Sequence, residues 1–378
     1  MRKMRDMRQD KEVIFLISGL SGGGFEGVCI NLANGLASRG WKVDLVCLNL
    51  KKVDLLDKVD DKVNLVNLNI NRFAFSFFPV LSFLKKSKCK NIVCFHYYFA
   101  SMLVVQNKLL GSRLKIIARN NIALSEAEKH NSNSLLGRIT FLTVKFLYPK
   151  VDYLISQCHD MKKDLVKNYN FEEEKITTIY NPVNGYIESQ YVDDESKRDD
   201  YILFVGRLAE QKRLDIALKI FSEISRDFPE LRFKIVGQGE KETELRELVD
   251  TYDISSSVCF EGFQKDLVSY YRKAKLVLLT SSYEGFPNVL VESITLGTPV
   301  VSFDCPTGPR EIIKNNINGF LIDDNNENNL KIKIVEAIKY DWNREIIHET
   351  ALKYKNDVVL KEYEGLFLDI IEGEKYGK

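Results

Sequence analysis

Residues 280–304 read TSSYEGFPNVLVESITLGTPVVSFD, and this stretch holds the end of one strand, a loop, a helix and the next strand. The apolar run that ends at Thr280 predicts a buried strand, and Pro287 suits the first turn of a helix. The helix is predicted from Asn288 to about Leu296, because a glycine such as Gly297 commonly ends a helix. The stretch is therefore one strand–helix–strand unit of an α/β sheet.

The same alternation continues in both directions along the chain. Near-continuous apolar strands separated by helices predict parallel sheets covered on both faces. We therefore predict an α/β fold of two Rossmann-like domains whose parallel sheets face a central cleft. The predicted strands are 13–18, 42–48, 63–68, 91–96, 115–119, 152–157, 201–206, 232–237, 258–262, 275–280, 299–303 and 319–323.

Length and composition agree with two domains of a soluble protein. The chain has 378 residues, and the polar, acidic stretch from residue 184 to 200 interrupts the alternation. We predict an N-terminal domain at 1–185, a linker at 186–200, and a C-terminal domain at 201–357. A final helix at 358–378 could cross back to the N-terminal domain.

Charge and cysteine content limit which partners and which cellular compartment the sequence predicts. The net charge is +1, from 54 basic and 53 acidic residues, so no broad basic field predicts nucleic-acid binding. The seven cysteines are scattered and form no C-x-x-C pair, which disfavours zinc and disulfides and indicates a reducing compartment. The charged N-terminus lacks an apolar signal segment, and we predict a cytoplasmic protein or one on a membrane surface.

Two carboxylates and two cations follow predicted strands of the second half. Glu284 lies in the loop after one strand, and Glu292 lies about one turn into the next helix. Arg207 and Lys212 flank a turn after the strand that ends at Gly206. Helix amides and cations suit a diphosphate, and carboxylates suit hydroxyl groups. Taken singly, Glu284 is better explained as a helix cap, and the other three as solvated surface groups. Their combination at two strand ends favours a binding site instead.

The run GRLAEQK and the later run GFPNVLVES at 285–293, which follows Glu284 and contains Glu292, closely resemble the retaining glycosyltransferase family four, of GT-B fold. The resemblance is specific over the second half and looser over the first. It implies that Arg207 and Lys212 contact a donor diphosphate, Glu292 the ribose and Glu284 the transferred sugar. The implied donor site also includes Gly23, Gly24, Gly206, Gly237, Gly262, Phe263, Gly285, Phe286, Asn288 and the amides of Val289 and Leu290.

The first half of the chain contains the residues that the resemblance implies for binding the acceptor. The run GLSGGGFEG at 19–27 follows the first strand and is either a tight turn or a ligand loop. The resemblance favours the ligand loop and implies an acceptor role for Glu26, although Gly27 stands where the family often has a basic residue. His96, Arg119 and Asn120 end two strands and are further acceptor candidates, and His96 is also a catalytic candidate.

Residues 71–90, NRFAFSFFPVLSFLKKSKCK, mix aromatic side chains with lysines. This segment is either a core-facing helix with a basic end or a contact to an anionic membrane.

The resemblance implies transfer of a hexose or N-acetylhexosamine, with retention, from a UDP-sugar to a hydroxyl of a lipid-linked glycan. This activity would serve bacterial surface-polysaccharide synthesis, such as capsule or lipopolysaccharide. No cofactor or metal is expected, because cations and amides would stabilise the leaving diphosphate. The alternatives are a sugar-nucleotide epimerase of the same fold and a non-catalytic subunit.

Overall fold

The computed structural model describes residues 11–21, 23–51, 54–131, 135–193 and 198–373. The chain divides into two compact units: unit 1 comprises Met1–Pro182 and Asp357–Lys378, and unit 2 comprises Val183–Asn356. The predicted linker at 186–200 therefore lies within unit 2. Its first residues form a short helix, Gly185–Ser189, because the Asn184 side chain accepts a hydrogen bond from the Tyr186 amide and caps the helix start.

Unit 1 contains a seven-stranded parallel sheet of order β3-β2-β1-β4-β5-β6-β7. Six of these strands match predicted ones, and the missed strand β7 is only three residues long, too short for a visible pattern. The strands are β1 (Glu12–Ile17), β2 (Lys42–Cys47), β3 (Asn64–Asn67), β4 (Asn91–Cys94), β5 (Lys115–Arg119), β6 (Tyr153–Ser156) and β7 (Ile176–Thr178).

Helices cover the sheet of unit 1. Those before the crossing into unit 2 are α1 (Gly24–Ser38), α2 (Phe77–Lys86), α3 (Tyr97–Leu109), α4 (Leu124–Asn131), α5 (Leu135–Leu147) and α6 (His159–Tyr169), with 3-10 turns at Leu56–Lys58, Phe73–Phe75, Tyr148–Lys150 and Glu173–Lys175.

Unit 2 contains a six-stranded parallel sheet of order β10-β9-β8-β11-β12-β13. All six strands match predicted ones. They are β8 (Tyr201–Val205), β9 (Arg232–Val236), β10 (Val258–Gly262), β11 (Leu276–Leu279), β12 (Val300–Phe303) and β13 (Gly319–Ile322). The helices are α7 (Gly185–Ser189), α8 (Leu214–Ile224), α9 (Glu242–Thr251), α10 (Val268–Lys273), α11 (Asn288–Thr295), α12 (Pro309–Ile312), α13 (Glu327–Lys339) and α14 (Arg344–Glu349), with 3-10 turns at Glu210–Lys212 and Leu352–Tyr354.

The last helix, α15 (Asn356–Glu372), belongs to unit 1 from Asp357 onward. Its apolar side chains join the core that β1 and α1 form, and the Phe367 ring lies 5.8 Å from that of Trp41. The Trp41 indole donates to Glu364 at 3.0 Å, which adds a directional contact to the apolar packing. The C-terminal helix therefore completes the hydrophobic core of unit 1.

A buried arginine ties this helix to the sheet. Arg119, at the end of β5, is fully buried, and its Nε donates to the Tyr363 hydroxyl of α15 at 2.7 Å. A second guanidinium nitrogen donates to Asn181 at 2.5 Å. Because a buried charge without hydrogen bonds is costly, both acceptors stabilise the folded state of unit 1.

We predict that Tyr363→Phe lowers the free energy of unfolding of unit 1 by about 1–2 kcal/mol, because Arg119 loses a buried acceptor. The chain has two tryptophans, Trp41 in unit 1 and Trp342 in unit 2. Urea unfolding followed by fluorescence in a Trp342→Phe background therefore reports unit 1 alone.

The matched control is Tyr169→Phe in the same unit, whose hydroxyl donates to the solvent-accessible Glu128 at 2.7 Å. Water can replace that partner, so this loss should be less than half as large. Equal losses in the two variants would show that burial of Arg119 does not set the cost.

Candidate active site

Three loops of unit 2 meet at one edge of its sheet. Strands β8, β11 and β12 are consecutive and parallel, so their carboxyl ends lie side by side. The loops that follow them begin at Gly206, Thr280 and Asp304. Ligands of open parallel sheets bind at this edge, and the sequence predicted the same placement.

Hydrogen bonds join the first two of these loops. The Thr280 hydroxyl donates to the Lys212 carbonyl at 2.8 Å, and the Ser282 amide donates to the Gln211 carbonyl at 2.8 Å. In return, the Gln211 side chain donates to the Tyr283 carbonyl at 2.5 Å. These bonds fix the backbone on both sides of the charged side chains.

Lys212 and Glu284 form an ion pair, with Nζ and Oε1 2.6 Å apart. Their side chains are only 14% and 10% exposed, so water screens the pair weakly. The third loop holds the glutamate backbone: the Glu284 amide donates to the Pro306 carbonyl at 3.2 Å, and the Thr307 hydroxyl donates to the Glu284 carbonyl. The structure thus brings together a cation and a carboxylate that stand 72 residues apart in the sequence.

The other cations of this loop have different environments. Arg207 is exposed, and its guanidinium forms no hydrogen bond or ion pair with another described residue. Arg213, which the sequence analysis passed over, donates to the Thr280 carbonyl at 2.9 Å and to Asp324 at 2.8 Å. Arg213 therefore braces the loop, while Arg207 is available to a ligand.

Helix α11 begins beside Glu284. Its Asn288 start matches the prediction, with Pro287 as the residue before it. The Leu290 amide donates to the Pro287 carbonyl at 3.0 Å, so this expected phosphate donor is already engaged. Val289 occupies the second position of the helix, where an amide has no acceptor within the helix. Gly285 and Phe286 lie in the connecting turn.

Glu292 is positioned by a residue that the sequence analysis missed. The hydroxyl of Tyr271, on α10, donates to Glu292 Oε2 at 2.8 Å. Tyr271 is fully buried, and its pKa is raised well above the usual range by burial and then by the Glu292 charge. The tyrosine therefore stays protonated and orients the half-buried carboxylate. No motif marks such a residue, because its role depends on the packing of α10 against α11.

Three glycines mark the ends of neighbouring strands in unit 2. The Gly206 amide donates to the Val236 carbonyl at 3.0 Å, and the Gly237 amide donates to the Gly262 carbonyl at 2.8 Å. A Cβ on Gly237 would lie 1.8 Å from the Gly206 carbonyl oxygen, so only glycine permits this approach. Phe263, which was expected near the nucleotide base, follows β10 directly and is 55% exposed.

The glycine loop of unit 1 leads into α1, whose first residue is Gly24. Gly22 lies outside the described residues. Glu26 is buried, burial raises the pKa of its carboxyl, and Ser21 donates to its Oε1 at 3.4 Å. The other carboxyl oxygen lies against the Gly23 backbone and has no hydrogen-bond partner among the described residues. The sequence predicted the loop but not the burial of its acid.

His96 lines a cavity of about 270 Å³ in unit 1, together with aromatic residues such as Phe25 and Phe73. Its Nδ1 accepts from the Tyr98 amide at 3.2 Å, which caps α3. Burial lowers the pKa of His96 to about 4, so the ring is neutral near pH 7. Because Nδ1 accepts, the neutral ring carries its proton on Nε2 and presents a donor there. This geometry suits ligand contact better than base catalysis.

Arg119 and Asn120, the other acceptor candidates, are fully buried. Asn120 donates to the Ile122 carbonyl at 2.8 Å, and Arg119 holds α15 as described above. The structure therefore gives both residues a packing role and exposes neither to an acceptor. Their position at the end of β5 was predicted correctly, but a strand end is not always accessible.

Within the segment 71–90, helix α2 buries Val80 and Leu84 and ends with Lys85 and Lys86, as the core-facing alternative predicted. Phe78 is nevertheless 76% exposed. Among the described residues, no helix has the length and apolar character needed to cross a bilayer. That part of the chain also lacks any group of three His, Cys, Asp or Glu residues suited to a metal ion.

Two Rossmann-like units with this arrangement of cation, carboxylates and helix start are what a glycosyltransferase of GT-B fold is expected to have. Two family models match it: "Glycosyl transferases group 1" at residues 188–354 and "Glycosyltransferase Family 4" at residues 22–184. The first model matches within unit 2 and the second covers most of unit 1, and the chain belongs to the glycosyltransferases that the two models describe.

Individual relatives have low sequence identity to this chain, but the alignments cover most of its length. The chain is 27% identical over 266 residues to the N-acetylgalactosamine-N,N'-diacetylbacillosaminyl-diphospho-undecaprenol 4-alpha-N-acetylgalactosaminyltransferase of Campylobacter jejuni, covering 67% of this chain and 71% of that protein. It is 26% identical over 314 residues to the amylovoran biosynthesis glycosyltransferase AmsD of Erwinia amylovora, covering 82% and 86%.

Among solved structures, a mutant of Staphylococcus aureus TarM, in complex with Fondaparinux, alpha-GlcNAc-glycerol and UDP, aligns with a TM-score of 0.76. The alignment covers 94% of this chain and 99% of that one at 14% identity. At this identity the likeness shows the shared GT-B fold.

We predict that Gly237→Ala lowers the stability of unit 2 by at least about 2 kcal/mol, because the new Cβ would overlap the Gly206 carbonyl oxygen. Urea unfolding followed by Trp342 fluorescence in a Trp41→Phe background reports unit 2 alone. The control is Gly185→Ala in the same unit, where a Cβ would make only an ordinary contact at 3.7 Å. A similar small change in both variants would contradict the close approach.

Proposed function

We propose that unit 2 binds a UDP-sugar and that the enzyme transfers its hexose or N-acetylhexosamine, with retention, to a hydroxyl of a lipid-linked glycan. The observation that carries this proposal is the shielded Lys212–Glu284 pair beside the start of α11. The reaction would belong to bacterial cell-surface polysaccharide synthesis, on the cytoplasmic face of the membrane. No metal takes part in the proposed chemistry.

The donor diphosphate is assigned to the cations and the helix start. A lysine ammonium has three N–H donors, so Lys212 can bind a phosphate oxygen and keep its contact with Glu284. Arg207 adds a second, exposed cation with a planar pair of donors. The Val289 amide adds a backbone donor at the positive end of α11. Together these groups match the two negative phosphates of a nucleoside diphosphate.

The two carboxylates are assigned to hydroxyl groups. Glu292, held by Tyr271, accepts from the ribose hydroxyls, and Glu284 accepts from the transferred sugar. Gly206, Gly237, Gly262 and Phe263 border the nucleotide, and Gly285, Phe286 and Asn288 border the sugar. Unit 1 is assigned the remaining ligand contacts, through Gly23, Gly24, Glu26 and His96.

The proposed catalytic effect is electrostatic. Negative charge develops on the leaving diphosphate as its bond to the anomeric carbon breaks, so Lys212, Arg207 and the helix amide contribute most in the transition state. Glu284 is engaged with Lys212 and is therefore a poor covalent nucleophile. We prefer attack of the acceptor hydroxyl on the face that the phosphate leaves, and the departing phosphate accepts the hydroxyl proton. This course retains the anomeric configuration.

The relatives support this choice of substrates. The Campylobacter relative is named for N-acetylgalactosaminyl transfer to a diphospho-undecaprenol-linked sugar, and AmsD is named for amylovoran biosynthesis. The TarM structure contains UDP. A UDP-linked galactose or N-acetylhexosamine is therefore the first donor to test.

The test is incubation of the protein with radiolabelled UDP-sugars, with and without lipid-linked acceptors. Transfer, or slow donor hydrolysis, supports the proposal. Conversion of the donor into its epimer would assign the epimerase alternative, and UDP binding without any turnover would assign a non-catalytic subunit.

We predict that Lys212→Ala and Glu284→Ala each lower kcat/KM by at least about 100-fold, because each removes one member of the ion pair. The effects in the double variant should be strongly non-additive, since the two side chains act together. Initial rates of transfer or of donor hydrolysis measure the effect, and Trp342 fluorescence verifies that unit 2 remains folded.

The matched control is Lys219→Ala, which removes a lysine from an exposed pair with Glu327 at 2.8 Å in the same unit. Because exposed pairs contribute little, its activity should stay within about twofold of the wild type. Normal activity in both ion-pair variants would refute the assigned site.

We also predict that Tyr271→Phe weakens UDP binding by about tenfold and changes kcat little, because Glu292 loses the hydroxyl that orients it. Calorimetric titration with UDP and with 2′-deoxy-UDP measures the effect. The loss should be smaller for the deoxy nucleotide, which lacks a hydroxyl for Glu292 to bind. An equal loss of affinity for both nucleotides would show that Glu292 does not bind the ribose 2′-hydroxyl.

A further inference from the structure

Helix α5 is apolar on two opposite faces. Its inner face contributes Phe141 and Val144, each only 2% exposed, and the Phe141 ring lies 6.0 Å from that of Tyr97 on α3. This face packs into unit 1 in the ordinary way. A second apolar face on the same helix is unusual for a surface helix, whose outer face is normally polar.

The outer face of α5 is exposed. Four large apolar residues project from it: Leu135, Ile139, Leu142 and Phe146, which are 75%, 54%, 65% and 67% exposed. At 100° per residue these positions fall within an arc of about 60°, and the buried Phe141 and Val144 lie on the opposite side. The four residues, hereafter the α5 stripe, therefore form one continuous apolar ridge.

The chain segment that carries the α5 stripe contains basic residues and no acidic ones. Residues 135–151 contain Arg138, Lys145 and Lys150 and no Asp or Glu. On the helix, Arg138 and Lys145 lie along one side of the stripe, and Lys150 Nζ stands 3.3 Å from the centroid of the Phe146 ring. Lys145 is paired with Glu128 of α4 at 2.6 Å, so its charge is partly compensated. Residues 135–151 themselves contain three basic and no acidic side chains.

We propose that the α5 stripe docks unit 1 on an anionic lipid bilayer. The apolar ridge enters the boundary between headgroups and acyl chains, and the flanking cations contact lipid phosphates. The helix has 13 residues and is about 20 Å long, shorter than the hydrocarbon core of about 30 Å. It therefore lies in the plane of the membrane surface.

This surface differs from the lysine-rich segment 71–90. Helix α2 uses its apolar face for the core through Val80 and Leu84, and its exposed Phe78 lies near the opposite end from Lys85 and Lys86. Only α5 combines a ridge of four exposed apolar residues with adjacent cations among the described helices. Docking through α5 adds a membrane contact to the proposed function. It depends on that function in one respect only, namely that docking would bring the enzyme near a lipid-linked acceptor.

The test is sedimentation of the full-length protein with vesicles of phosphatidylcholine and phosphatidylglycerol. We expect the wild type to bind, and Ile139→Ser/Leu142→Ser to lower the partition coefficient by at least about tenfold, because two apolar side chains no longer enter the bilayer. Both residues are solvent-exposed, so the fold should be unaffected; Trp41 fluorescence verifies this.

Two controls locate the effect. Ile332→Ser removes an isoleucine that is 60% exposed on α13 of unit 2 and should leave binding unchanged. Phe78→Ser tests α2 and should also leave it unchanged. Arg138→Gln/Lys150→Gln should weaken binding to phosphatidylglycerol vesicles by about fivefold per charge, with no change on pure phosphatidylcholine. Raising the salt from about 0.1 M to about 1 M should remove this difference.

The proposal is overturned if the wild type does not bind anionic vesicles or if Ile139→Ser/Leu142→Ser binds as well as the wild type. It is also overturned if the stripe instead mediates self-association, seen as a dimer that the double substitution dissociates while vesicle binding is absent. Hydrolysis of a UDP-sugar in detergent-free buffer is measured in parallel. Normal hydrolysis without vesicle binding refutes docking alone. Vesicle binding with neither hydrolysis nor transfer to a lipid-linked acceptor refutes the proposed function alone.

Discussion

The parallel arrangement of strands in unit 2 is the constraint on which the site depends. Because β8, β11 and β12 run in one direction side by side, the loops after them meet at one edge of the sheet. Hydrogen bonds to the backbone of these loops then hold Lys212 and Glu284 2.6 Å apart, although 72 residues separate them in the sequence. An antiparallel sheet would send every second loop to the other edge.

The ion pair also bears on the proposed binding of a diphosphate. A buried lysine alone would be costly to desolvate, and Glu284 compensates that cost while the site is empty. In the proposed complex, the donor diphosphate would give Lys212 a second partner. The surrounding bonds, from Thr280, Gln211 and Thr307, keep the geometry in place before the ligand arrives. Such preorganisation is what electrostatic catalysis requires.

Other buried polar residues connect or orient separate parts of the fold. Arg119 joins β5 to α15, and Tyr271 holds Glu292 from a neighbouring helix. Neither residue contributes an accessible group of its own. Glu26 is intermediate, since it is buried in the glycine loop and keeps one carboxyl oxygen without a described partner.

The amino-acid sequence by itself determined the parallel α/β class, twelve of the thirteen strands, the start of α11 and the family. These features follow from local patterns: apolar runs, glycine and proline positions, and charged residues that directly follow strands. Only the tertiary structure decided that Arg119 and Asn120 are enclosed, that Tyr271 orients Glu292, that unit 2 begins at Val183, and that one face of α5 is left uncovered. Each of these depends on which distant segment packs against the residue, and a linear pattern does not contain that information.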